Sequence, residues 1–244
     1  MTQVGEAVLV AMLSSDEKDG KCEFKPDQTD WKANLDGDAG RLGSSLGNQP
    51  TRAAREADLS SSCWPSQAHH LIPHLTLKNH RVAQWLKDGS IIFGDTRYDV
   101  DHRNNGKWMP YASSLAEWHT AASSAAHVAS NRSLMFKVMQ LAQIQMHQGK
   151  HSGSNNYGIG ECAYKECVKK YLDKIANHAV SHYKKDPPCE GCKGKKQAGK
   201  LPPRDNMVRY VDKASDLLEQ DINSCRVFVS RIAAEFAQNG GFGT

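Results

Sequence analysis

The residues best able to do chemistry are two adjacent histidines, His69 and His70, in the stretch QAHHLIP at residues 67–73. A neutral imidazole is a common metal ligand, and it also exchanges a proton near neutral pH. In an extended strand neighbouring side chains point to opposite faces, whereas at a strand end they can converge on one ion. The pair therefore predicts either a metal site with an adjacent base or two independent imidazoles, in a chain that contains 11 His.

Two further histidines, His147 and His151, follow with a spacing of four residues. Side chains four residues apart lie on one face of a helix, so this pair is able to share an ion. His119 and His127 lie in the Ala-rich segment before them, and either is an alternative ligand. The sequence leaves the choice among these four residues open.

Two carboxylates, Asp99 and Asp101, lie in a short polar stretch between the two sets of histidines. A carboxylate that accepts a hydrogen bond from an imidazole orients the ring. Aspartate is also common in tight turns, where it serves the backbone alone. Both interpretations remain open from the sequence.

These residue types together suit phosphodiester hydrolysis. Neutral histidines leave a bound divalent ion its full positive charge, which favours phosphate. An imidazole with a pKa near 6.5 can take a proton from water at cellular pH. Nitrogen donors suit Zn or Ni better than Mg, which prefers oxygen, but we leave the ion open among Zn, Ni, Mn and Mg.

Three sequence elements resemble one known family. They are HHLIP at 69–73, NGKWMP at 105–110 and HxxxH at 147–151, the last followed by a predicted helix. Together they resemble the AHH branch of the HNH and endonuclease VII superfamily, over roughly residues 63–175. The segment between the second and third elements is longer than a minimal HNH motif needs, which predicts an inserted helical segment.

The resemblance implies a ββα-metal core, also called a His-Me finger, and a role for each matching residue. His69, His147 and His151 would bind one divalent ion. His70 would be the general base that deprotonates water, and Asn105 would be the catalytic residue that steadies the hairpin and orients this base.

The resemblance also implies an activity and its partners. We expect a metal-dependent DNase, used as an antibacterial toxin that a type VI or similar secretion apparatus exports and a cognate immunity protein neutralises. It would act in the cytoplasm of the target cell. The alternatives are an RNase on the same fold and a non-catalytic, zinc-stabilised module that binds nucleic acid or protein.

Seven cysteines are present, and Cys189 and Cys192 form a CxxC pair in a Gly- and Lys-rich loop. This spacing is typical of half of a structural zinc site. We expect Cys63 and Cys167 to complete it, although Cys162, His178 and His182 are also available. Disulfides and free thiols are the competing interpretations.

Charge and hydropathy vary along the 244 residues. Residues 1–62 hold 7 Lys and Arg against 11 Asp and Glu, which gives them a net charge of −4. Because the whole chain has a net charge of +4, residues 63–244 carry a net charge of +8. A basic surface favours phosphate-bearing partners such as DNA. Residues 1–13 are consistent with a short helix or strand, whereas 14–62 hold little that can form a core, so we expect 1–62 to be an irregular N-terminal arm. We expect 63–244 to form the nuclease domain with a helical C-terminal extension.

The predicted fold class is α+β and mainly α. Apolar periodicity predicts helices over 161–182 and within 206–237. The mean hydropathy is −0.62, and no apolar run approaches the roughly 20 residues that a bilayer span needs. We therefore expect no membrane partner, and export without a cleavable signal peptide.

Overall fold

A computed structural model describes residues 3–15, 33–48, 66–83, 86, 98–111, 124–147, 163–185 and 207–242. Helices predominate in this part of the chain. They are α1 Gln3–Ser15, α2 Ala39–Leu46, α3 His74–Lys78, α4 Ser124–Ala142, α5 Tyr164–Lys185, α6 Met207–Asn223 and α7 Arg231–Gln238. Two strands, β1 Ser66–His70 and β2 Gly106–Pro110, pair antiparallel, and a 3₁₀ turn, Arg103–Asn105, precedes β2. The α+β, mainly α class is confirmed.

The small sheet brings the first two motif elements together. Its register pairs Ser66 with Pro110 and His70 with Gly106, so the HHLIP element leaves the sheet where NGKWMP enters it. The backbone N–H of Leu71 donates to the carbonyl of Asn105 at 2.9 Å, which extends the pairing by one residue.

The main core forms around α5 and α6, and α1 packs against both helices. Val168, Leu172 and Ile175 of α5 are fully buried at helical spacing, because one face of this helix is apolar and the other is charged. The helices predicted over 161–182 and within 206–237 are both confirmed, with the second divided into α6 and α7.

A second apolar cluster joins α4 to α7. Val138 and Met139 of α4 pack with Ala233 and Phe236 of α7. This cluster lies next to the residues that lead to His147, which follow α4 directly.

The N-terminal part differs from the irregular arm that its composition predicts. Leu9 and Leu13 of α1 are buried in the main core, because α1 is apolar enough to contribute a face to it. The helix α2 begins at its N-cap Asp38, whose side chain accepts from the N–H of Arg41 at 2.9 Å. Residues 3–15 and 39–46 are therefore helices that pack on the rest of the protein.

Close packing holds α2 against the sheet. A side chain at Gly43 would meet the ring of Trp108 at 3.2 Å, and one at Gly106 would meet Leu42 at 2.6 Å. The small residues thus permit α2 to lie across β1 and β2. None of the helices in the described ranges combines the length and apolar character needed to cross a membrane.

Candidate functional site

His70 is the last residue of β1, and its side chain is 12% exposed. Its Nε2 lies 2.8 Å from Oδ1 of Asp101. A carboxylate only accepts, so a neutral His70 carries its proton on Nε2 and its lone pair on Nδ1. No other residue of the described ranges hydrogen-bonds this ring, and the His74 ring lies beside it with centroids 6.1 Å apart. His70 therefore has one oriented nitrogen and one nitrogen able to accept a proton.

Asp101 is almost completely buried, with 1% of its side chain exposed. Its Oδ1 also accepts from the backbone N–H of Asp38 at 2.9 Å. Its Oδ2 accepts from the amide of Asn34 at 3.4 Å and pairs with Nε of Arg41 at 3.4 Å. Two of its three hydrogen bonds and its ion pair with Arg41 thus come from the segment that precedes the histidine motif.

The loop that carries Asp101 is fixed by the same segment. Asn34 forms an isolated parallel bridge with Asp99, in which the N–H of Asn34 donates to Tyr98 and the N–H of Val100 donates to Asn34. The Asn34 amide also donates to the Asp99 carboxylate at 2.7 Å. The carboxylates of this loop are therefore held by hydrogen bonds to residues more than 60 positions away in sequence.

His69 points into the interior and contacts different residues from His70. It is 2% exposed, and its Nε2 lies 3.1 Å from the hydroxyl of Tyr164, the first residue of α5. That hydroxyl donates to the carbonyl of Leu71 at 2.6 Å. Because the hydroxyl proton of Tyr164 is used in the bond to Leu71, the contact with His69 is an N–H of His69 that donates to the oxygen of Tyr164. The lone pair of His69 then lies on Nδ1.

The ring of His147 lies beside that of His69, with centroids 4.7 Å apart. The backbone N–H of His147 donates to the carbonyl of Pro110 at 2.8 Å, and its ring stacks on Tyr111. Burial lowers the pKa of His147 to about 4, so the ring is neutral at pH 7. His147 of the third motif element therefore meets His69 of the first, with His69 buried and His147 half-buried.

The C-terminal helices fix the backbone before His147. The side chain of Gln145 donates to the carbonyls of Ile222 and Val227 at 2.7 and 2.8 Å, and it accepts from the N–H of Val229 at 3.0 Å. Because Gln145 is buried and lies two residues before His147, the loop between α6 and α7 sets the position of that histidine.

Asn105 is fully buried and joins three parts of the chain. Its amide group donates to the carbonyls of Ile72 and Val100 at 3.1 and 2.9 Å. Its oxygen accepts from the N–H of Ile72 at 2.7 Å and from the hydroxyl of Ser215 at 3.1 Å. All four hydrogen bonds hold protein groups, so Asn105 fixes the turn after His70 and has no group directed at a ligand.

The structure thus brings together some of the residues that the sequence suggests, and others lie beyond the ranges it describes. His69 and His147 meet, and His70 meets Asp101. Within the described ranges, no group of three His, Cys, Asp or Glu side chains is arranged to hold a metal ion. His119, His151, Cys63, Cys189 and Cys192 lie outside these ranges, while His127 falls in α4.

Cys167 is different from the expected zinc ligand. It forms a disulfide, and its partner lies outside the described ranges. A zinc site needs a thiolate, so the disulfide form of Cys167 cannot provide one. Cys167 lies on the buried face of α5.

Several important contacts had no local signal in the sequence. Asn34 and Arg41 lie in the acidic segment that was expected to be an irregular arm, and Tyr164 was recognisable only as part of an apolar helix face. Asn34 and Arg41 contact the Asp99 carboxylate across 65 and 58 residues of sequence, and Tyr164 contacts His69 across 95.

An open groove lies elsewhere on the sheet, between α2 and β1, with a volume of about 560 Å³. Its lining includes Gly40, Gly43, Gln67 and Trp108. None of the histidines in the described ranges lines this groove, so we assign no catalytic role to it.

No family model, curated protein or solved structure matches this chain.

Proposed function

We propose that this protein is a metal-dependent endonuclease that hydrolyses phosphodiester bonds in DNA. In this proposal His70 is the general base, and His69, His147 and His151 hold one divalent ion. The observation that supports it is that the imidazole rings have different surroundings. The rings of buried His69 and half-buried His147 lie side by side, whereas His70 binds a carboxylate through one nitrogen and keeps the other for a proton.

The chemistry of the donors fits a divalent ion. His147 is neutral at pH 7 because burial lowers its pKa to about 4, and metal ligation requires a neutral imidazole. The bond from His69 to Tyr164 directs the lone pair of His69 to Nδ1. When bound, a divalent ion supplies the positive charge that stabilises a phosphate as its negative charge increases during hydrolysis.

The protein groups supply the proton transfer. His70 takes a proton from water on Nδ1, and the imidazolium that results is stabilised by the Asp101 carboxylate 2.8 Å from Nε2. A positioned general base typically contributes about 10²- to 10⁴-fold to a rate. Asn105 keeps the turn after His70 fixed through its bonds to Ile72.

We assign β1 and β2 as the hairpin of a ββα-metal finger and α5 as its helix. Two contacts support this assignment, since Tyr164 at the start of α5 hydrogen-bonds the ring of His69 and the carbonyl of Leu71. The net charge of +8 after residue 62 favours a polyanionic substrate. DNA bound through phosphates would be cleaved with little sequence preference.

The test is digestion of supercoiled plasmid by the purified full chain with Mg²⁺, Mn²⁺, Ni²⁺, Zn²⁺ or a chelator. We expect nicking that depends on one of the ions, and a loss of about 10²- to 10⁴-fold in His70→Ala. His80→Gln is the matched control, because His80 also pairs with an aspartate, Asp173, at 3.1 Å, and this pair is separate from the pair of His70 with Asp101. This variant should cleave like the wild type.

Cleavage that persists in His70→Ala, or in the presence of chelator, would contradict the proposal. Digestion of transfer RNA and not plasmid by the same preparation would instead identify an RNase. Tight zinc binding without cleavage under any ion would identify a non-catalytic module.

The biological part of the proposal is an antibacterial effector with a cognate immunity protein. It rests on the motif resemblance and is tested by induced expression in a bacterial cytoplasm. We expect wild-type protein to reduce colony counts and to damage DNA, and His70→Ala to do neither. Equal toxicity of the two proteins would remove nuclease activity as the cause.

A further inference from the structure

We infer that Asp101 is the positioning residue for His70, and that residues 34–41 complete the site by holding Asp101. The inference extends the proposed nuclease function. Of its two experimental readouts, the cleavage kinetics rest on that function. Its other readout, the tautomer of His70, is independent of any activity.

The first step concerns the carboxylate itself. Asp101 is 1% exposed, and a buried carboxylate must be compensated by hydrogen-bond donors. Its Oδ1 receives two, from His70 Nε2 at 2.8 Å and from the Asp38 N–H at 2.9 Å. Its Oδ2 accepts a longer hydrogen bond from Asn34 and forms an ion pair with Arg41, both at 3.4 Å. The three hydrogen bonds and the ion pair fix the plane of the carboxylate and hence the direction from which it meets His70.

The second step concerns the imidazole. A neutral imidazole exists as two tautomers, and the group that faces one nitrogen selects between them. Because Asp101 accepts at Nε2, the proton remains there and Nδ1 keeps the lone pair. Without that acceptor, the ring is no longer held in one tautomer or one orientation. The aspartate of the serine protease triad performs this same service for its histidine.

The third step concerns the segment before the motif. Residues 34–41 contribute a backbone N–H, an amide and a guanidinium to Asp101, and they also bridge the loop on either side of Asp99. A protein reduced to residues 63–175, where the motif resemblance lies, would lack all of these donors. The N-terminal segment is therefore part of the active site rather than an accessory to it.

The geometry predicts different results for two substitutions of Asp101. In Asp101→Asn, the amide oxygen can remain at the Oδ1 position, where it accepts from both His70 and the Asp38 N–H. Its NH₂ group then faces the amide of Asn34 and the guanidinium of Arg41. Asp101→Leu has a similar volume but accepts no hydrogen bond, so it releases His70.

The experiment compares these variants by long-range ¹H–¹⁵N NMR of the histidine rings and by plasmid-cleavage kinetics. NMR is recorded in the metal-free protein at about pH 8.5, where a free imidazole is neutral. We expect the Nε2–H tautomer of His70 in the wild type and in Asp101→Asn, and a mixture of tautomers in Asp101→Leu. We expect kcat to fall by about 10²- to 10⁴-fold in Asp101→Leu, and less in Asp101→Asn, with KM within about 3-fold of wild type.

A third variant tests the N-terminal contacts without altering the buried carboxylate. Asn34→Ala combined with Arg41→Ala removes the hydrogen bond and the ion pair to Oδ2, and Arg41 is 56% exposed, so the variant should fold. We expect about a 10-fold loss of kcat with unchanged KM, in the range of one weakened positioning contact. The control is Asp173→Asn, which alters the separate pair with His80 and should leave kcat, KM and the His70 signals unchanged.

The outcomes separate this inference from the proposed function. A wild-type His70 in the Nδ1–H tautomer, or one that is unaltered in Asp101→Leu, would overturn the inference whatever the activity. The expected tautomers in a protein that cleaves nothing would support the positioning by Asp101 while removing the nuclease. A higher KM with unchanged kcat in the double variant would assign Arg41 to the substrate and overturn its role in holding Asp101.

Discussion

Replacement of Asn105 by alanine should destabilise the protein strongly, because this side chain is fully buried and makes four hydrogen bonds. The substitution leaves the Ile72 N–H and the carbonyls of Ile72 and Val100 without these partners. Each net hydrogen bond contributes about 0.5–1.5 kcal/mol, and a buried group left unsatisfied costs about 1–3 kcal/mol.

Four bonds at about 1 kcal/mol each give a loss of roughly 4 kcal/mol in the free energy of unfolding. For a chain of this size, 1 kcal/mol corresponds to about 2–4 °C in Tm, so Tm should fall by about 8–16 °C. Ser215→Ala removes only the hydroxyl bond to Asn105 Oδ1 at 3.1 Å. It should therefore cost about 1 kcal/mol.

The assay combines thermal unfolding followed by circular dichroism with plasmid cleavage well below the Tm of each variant. Asn105 touches only protein groups, so we expect the activity of Asn105→Ala to fall together with the order of the turn after His70. A variant with wild-type Tm and greatly reduced cleavage would refute this reasoning, because it would require Asn105 to act on the substrate directly.

Two other predictions concern pH and redox state. Burial lowers the pKa of His80 below its ordinary value despite the opposing effect of Asp173, so below about pH 6.5 the unfolded chain binds a proton that folded His80 resists. The free energy of unfolding should therefore be highest above that pH and should decrease as pH falls through the folded-state pKa. Urea unfolding of wild type and His80→Gln at pH 7.5 and 5.5 measures this, and an equal decrease in both proteins would exclude His80 as a cause. Reduction of the Cys167 disulfide should cost about 2–4 kcal/mol, seen as a lower Tm after reduction and alkylation; an unchanged Tm, with mass spectrometry confirming modification of Cys167, would contradict a stabilising role.

The sequence alone determined the elements whose signal is local. The apolar positions of α5 recur every three to four residues, and this spacing depends only on residues within a few turns, so the helix was predictable. The chemical types were also readable, since adjacent histidines and a spaced pair already predicted imidazole chemistry. The polar composition of residues 14–62 was misleading for α2, whereas the apolar residues of 1–13 were consistent with the helix α1, whose Leu9 and Leu13 join the core.

Only the tertiary structure decided which groups face one another. His70 meets Asp101 across 31 residues, His69 meets Tyr164 across 95, and Asn105 meets Ser215 across 110. The disulfide of Cys167 and the hydrogen bond from Asn34 to the loop that carries Asp101 were likewise set by the tertiary structure. Such contacts depend on how helices and strands pack as whole bodies, and no pattern within a short window of sequence records that packing.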